Sequence, residues 1–212
     1  MPRLLLALVL LTLPAAAEEP PYHHLHLSRV EALRDRVAGE VVRLEVTRPA
    51  VGLPDQTLRF DGAAVHVGEG RLLTSAFLVK DAAAIAATLP GGTIAPARVV
   101  RESAQLGLAL LEVPEARGLP VPALAPDGEL ARGAALYVLA NPVSRDARIL
   151  VGWLLVAAKR DFYWRATFIA RNGHPVWDEW GRIAGISVLP AKEGAEALFV
   201  PAWAVRKFLE TK

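Results

Sequence analysis

Few side chains in this sequence could do chemistry. There are five histidines and no cysteine, which rules out thiol catalysis, structural disulfides and lipoprotein attachment. Tyr22-His23-His24-Leu25-His26 places three imidazoles within four positions, a spacing that can chelate a transition metal. No acidic or further histidine neighbour in sequence completes a coordination set. The plain expectation is a mobile leader with solvated rings, which leaves His23, His24 and His26 as the metal candidates. Beyond the leader only His66 and His174 remain, with Ser28, Ser75, Ser103, Ser144 and Ser187 as hydroxyls. Nucleophilic catalysis by one of these serines needs a base within hydrogen-bond reach and a group that orients the base.

The elements that must position these residues are framed by composition. Hydrophobic residues make up 53% and charged ones 22% of 212 residues, enough for a sizeable core and ordinary for a globular chain. Twenty-four basic against twenty-two acidic residues leave +2, too balanced for a nucleic-acid footprint. Arg3, the apolar run Leu4 to Leu13 and Ala15-Ala16-Ala17 have the form of a secretory signal with cleavage before Glu18. That run is half the length of a membrane span, so a bacterial secreted or periplasmic location is expected, with no membrane attachment after cleavage.

Ser28-Arg29-Val30-Glu31 has the form of a capping box, which predicts a short helix to about Ala38. From Gly39 the period changes to two: Val42, Leu44 and Val46 alternate with Arg43, Glu45 and Thr47. Strands are predicted near Leu58 to Val67, Arg71 to Val79, Ala83 to Leu89, Thr93 to Arg101 and Leu108 to Val113, with Pro96 marking an edge or a bulge. Prolines 114, 120, 122 and 126 suit an extended connector between two halves. The second half predicts strands at Ala135 to Ala140, Ile149 to Ala158, Phe162 to Ile169, Ile183 to Val188 and Ala197 to Val200. A closing amphipathic helix begins at Pro201, with Trp203, Val205, Phe208 and Leu209 on one stripe. The expected division is a signal peptide at 1–17, a leader with a short helix at 18–38, a first β-barrel at 39–118, and a second β-barrel with its helix at 119–212.

Five segments then carry a family resemblance. Ala170-Arg171-Asn172-Gly173-His174-Pro175 resembles the nucleophile loop Gly-Asn-Ser-Gly-Gly-Pro of trypsin-like serine proteases of the HtrA/Deg kind, and the chain to Ser187 resembles the hairpin after it. Leu72-Leu73-Thr74-Ser75-Ala76-Phe77-Leu78-Val79 resembles the segment that carries the catalytic histidine, with Gly62-Ala63-Ala64-Val65 as its lead-in. Leu106-Gly107-Leu108-Ala109-Leu110-Leu111-Glu112-Val113 resembles the segment that carries the triad aspartate, and Phe199-Val200-Pro201-Ala202 the entry into the last helix. The resemblance implies an all-β fold, a trypsin-like double β-barrel with a short N-terminal helix, a C-terminal helix and a cleft between the barrels. The PDZ domain of larger members is not expected within these 212 residues.

Carried over residue by residue, the triad positions hold Phe77 for histidine, Gly107 for aspartate and Asn172 for serine. None can perform its family role. Ala170 and His174 stand where the family has glycines, beside the retained Gly173, and degrade the oxyanion loop. The resemblance therefore implies a pseudoprotease that binds an extended peptide or protein along the old cleft, with no cofactor. An alternative is a rearranged centre of Ser75 and His174 with Asp178 nearby, and another is metal binding through the histidine cluster. Trp164, leading into the loop, His174 and Trp180, at the hairpin turn, are the residues most open to a binding role.

Overall fold

The computed structural model describes residues 21–50, 52–156, 163–167, 172–190 and 196–211. The expected signal segment and Ala170 lie outside them. Along β1 (Val41–Ala50), Val42, Leu44 and Val46 are fully buried while Arg43 is exposed, the alternation that a sheet with one dry face requires. β1 pairs on one side with β2 (Leu53–His66) and on the other with β4 (Ala84–Thr88). With β3 (Arg71–Ser75), β5 (Ile94–Pro96), β6 (Arg98–Ser103) and β7 (Leu108–Glu112) these form an antiparallel seven-stranded sheet in the order β5-β4-β1-β2-β3-β7-β6.

The expected single strand Thr93 to Arg101 is in fact two. Pro96, which lacks an N–H, ends β5 at one edge of the sheet, and after Ala97 the chain enters β6 at the opposite edge. One intervening residue reaches only a few ångströms, so the two edges are drawn together and the sheet curls into a barrel. The expected strand Arg71 to Val79 also divides, ending at Ser75 and turning into a one-turn helix α2 (Ala76–Val79).

The second unit is a closed antiparallel barrel, β10-β13-β12-β11-β8-β9. Its strands are β8 (Ala135–Ala140), β9 (Arg148–Val156), β10 (Trp164–Ala166), β11 (Pro175–Trp177), β12 (Ile183–Pro190) and β13 (Ala197–Pro201). The proline-rich connector lies along the start of β12, where Ile183 N–H donates to Ala123 O at 2.8 Å and Ala125 N–H to Ile183 O at 2.8 Å. Helix α1 (Leu27–Val37) does not use the capping box. His26 is its N-cap, and Ser28 falls inside the first turn without a capping bond, because the His26 carbonyl already accepts the Arg29 and Val30 amides. Helix α3 (Ala202–Glu210) starts after Pro201 and buries Ala202, Ala204, Val205 and Phe208.

Three apolar clusters organise the whole. One fills the first sheet around Leu44, Leu72 and Leu111, and another fills the closed barrel around Leu136, Trp164 and Phe199. The largest lies between the two units and joins Leu33 and Val37 of α1, Leu73 and Leu108, Tyr137 and Trp177, and Phe208 of α3. Full burial of such side chains contributes about 1.5–3 kcal/mol each, so both helices serve to seal the seam between the barrels. The fold is the trypsin-like double barrel, with a cleft between β1 and β2 of the first unit and β8, β9, their connection and His174 of the second.

Candidate functional site

The segments bearing the expected triad positions come together. α2 carries Phe77 beside Gly107, whose carbonyl accepts the Ala76 N–H at 2.7 Å. Gly107 has φ +64°, and a Cβ built on it would sit 2.8 Å from Phe77 Cε2. No real Cβ makes so close a contact, so the phenyl ring stands in the space an aspartate side chain would enter. Tyr163 closes the other side, donating its hydroxyl to Gln105 O at 2.9 Å.

Asn172 approaches from the second barrel. Its carbonyl accepts the Ala63 N–H at 3.2 Å, and Gly62 separates it from the Leu78 side chain. The Asn172 Oδ1 atom is buried with no hydrogen-bond partner among the described residues. Gly173 is held tightly: at φ +82°, a Cβ there would come within 2.1 Å of both the Ala63 carbonyl oxygen and Thr74 Oγ1. The loop is then tied to β12 by Gly173 N–H to Ser187 O at 2.7 Å and Ser187 N–H to His174 O at 2.8 Å.

Among the described residues, Ser75, His174 and Asp178 each bond to a different partner. Ser75 is fully buried, because the last residue of β3 points into the seam between the barrels, and its Oγ donates to Val188 O at 3.0 Å. His174 is buried as well, with Nδ1 at 3.0 Å from Leu139 O. Asp178 belongs to the hairpin turn: its carboxylate accepts Trp180 N–H at 2.9 Å, Arg182 N–H at 2.9 Å and Arg182 Nε at 2.8 Å. The three side chains are thus committed to separate structural bonds.

His174 instead forms part of the wall of a cavity of about 430 Å³ between the units. Arg43 and Asp61 line it from the first sheet, joined by Arg43 Nη2 to Asp61 at 2.7 Å. Asn141 and Ser144 line it from the β8–β9 connection, where Val143 is held at φ +62°, a costly conformation for a β-branched residue. Of the tryptophans, Trp164 is only 6% exposed and packs edge-on against Phe199 at 6.0 Å. Trp164, one of the residues open to a binding role by sequence, packs into the barrel cluster. Trp180 is half-buried beside the Arg182 guanidinium. The surface tryptophan is Trp153 on β9, 45% exposed, which the sequence did not distinguish because a two-residue period does not say which face is outward.

The histidine leader is also corrected. Tyr22 N–H donates to Glu179 O at 3.0 Å, and Tyr137 Oη donates to Tyr22 O at 2.6 Å, so the arm docks on the β11–β12 turn. Burial, reinforced by the nearby Glu179 charge, pushes the Tyr137 phenol well above the usual tyrosine range and keeps that donor protonated. The docking brings Glu179 against His23 and His24. His26 falls outside this group.

No curated protein matches the chain. The trypsin-like peptidase domain matches residues 62–186, more than half of the sequence, and that span runs from the glycine facing Asn172 through the loop and hairpin described above. The chain belongs to the trypsin-like peptidase domain family.

Proposed function

We propose that this chain is a secreted pseudoprotease, a trypsin-like domain that binds an extended polypeptide in the cleft between its barrels without cleaving it. The observation that carries the reading is the Phe77–Gly107 contact, in which an aromatic ring stands where base and carboxylate would have to meet. Asn172 at the nucleophile position is consistent with it, since an amide is not a usable nucleophile. The cavity beside Asn172, walled by Arg43, Asp61, Ser144 and His174, supplies charged and hydrogen-bonding groups next to apolar surface, the mixture that peptide recognition uses. Export follows from the sequence of residues 1–17.

The test is to incubate the purified protein with fluorescein-labelled unfolded casein, following binding by anisotropy and cleavage by release of fluorescence, and to treat it in parallel with a fluorophosphonate probe. Binding without turnover and without labelling is expected. Turnover that disappears on Ser75→Ala overturns the pseudoenzyme reading, and absence of any binding overturns the peptide-binding one.

A further inference from the structure

We infer that the docked N-terminal arm and the β11–β12 turn together form a site for a divalent transition-metal ion, with His23, His24 and Glu179 as ligands. The site lies apart from the cleft between the barrels. His24 Nδ1 is 3.1 Å and His23 Nε2 is 3.8 Å from the same oxygen, Glu179 Oε1, and one donor atom from each residue lies within 4.8 Å of the others. Metal–nitrogen and metal–oxygen bonds near 2 Å in a tetrahedral shell put donors roughly 3.3 Å apart, so modest side-chain rotations close the set around an ion. Two imidazoles and one carboxylate suit zinc or copper and leave further positions to water, whereas magnesium and calcium prefer oxygen ligands alone.

The site is preorganised by bonds that do not use the ligand atoms. Besides the two backbone anchors of Tyr22, Arg36 Nη1 donates to Tyr22 Oη at 3.3 Å, and Gly181 lets the Tyr22 ring approach within a distance that a side chain would block. The His23 and His24 rings are stacked with centroids 4.5 Å apart, and Trp153 meets His24 edge-on at 6.2 Å. All three ligand side chains are between 22% and 27% exposed, shielded yet open to an entering ion. An ion there pins the arm around Tyr22 to the hairpin that follows the loop entering β11.

Isothermal titration of tag-free protein with zinc, alongside copper quenching of tryptophan fluorescence, tests the assignment. One zinc per chain is expected, weakened at least tenfold by His24→Ala and by Glu179→Gln and changed less than twofold by His26→Ala. The Glu179→Gln protein keeps the backbone carbonyl that holds Tyr22, and its metal-free melting curve checks that it is folded. Copper quenching is expected to lose its largest component in Trp153→Phe, a readout independent of the ligand variants. Absence of zinc heat at 100 micromolar, equal affinity of wild type and Glu179→Gln, or quenching unaltered by Trp153→Phe overturns the assignment.

Discussion

Replacing Gly107 by alanine probes the contact on which the functional reading rests. The added Cβ meets two separate obstacles. At φ +64° an L-residue pays about 1–2 kcal/mol. The Phe77 Cε2 atom, 2.8 Å away, adds an overpacking cost of about 1–3 kcal/mol. Phe77 is 38% exposed, so its ring can swing toward solvent and the steric part falls at the low end, which gives a total of about 2–3 kcal/mol. In a Phe77→Ala background only the backbone part remains, and the cost of Gly107→Ala falls to about 1–2 kcal/mol. The double-mutant cycle therefore shows a coupling of about 1 kcal/mol. Urea unfolding followed by tryptophan fluorescence measures all four proteins, with unchanged m-values confirming that the unfolding transition is comparable. A Gly107→Ala cost below about 0.5 kcal/mol, or additivity of the two changes to within about 0.5 kcal/mol, refutes the account. The same reasoning applies to an aspartate at 107, which enters only as the Phe77 ring gives way.

Two further outcomes follow from local geometry. Gly173→Ala places a methyl against a backbone carbonyl and Thr74 Oγ1 at φ +82°, and is expected to cost about 3 kcal/mol or more, lowering the melting midpoint by at least about 6 °C; a change under about 2 °C in calorimetry refutes it. Glu40 is buried beside Arg36 at 3.6 Å, and its burial, only partly offset by that guanidinium, raises its pKa above the ordinary carboxylate range. A raised folded value means that Glu40 contributes stability below the ordinary carboxylate pKa and loses it as pH rises through the folded value. Glu40→Gln removes that loss, so melting curves from pH 4 to 8 should show the variant gaining on wild type as pH rises, and a pH-independent difference refutes the assignment.

Much of the fold is legible in local pattern. The alternation at Val42, Leu44 and Val46 and Pro201 before the last helix reflect preferences that a strand or helix end imposes on its own residues. Boundaries were less legible where neighbours decided them. Ser28 looked like a cap, yet the His26 carbonyl had already taken the first-turn amides. The break at Ala97 depends on two edges of one sheet meeting, which no window of sequence contains.

The order of the family-like segments, and with it the identity of the residues at 77, 107 and 172, was determined by the sequence alone, because it is a property of types and spacing. What those residues do to one another was decided by the tertiary structure. Phe77 and Gly107 touch only because β3 and β7 pair. Ser75 meets Val188 only because the pleat turns its hydroxyl across the seam. Glu179 reaches His24 across 155 residues because the arm docks on a turn. Side-chain chemistry is written locally, but proximity between distant segments arises from packing two barrels against one seam, and the candidate sites of this protein are made of that proximity.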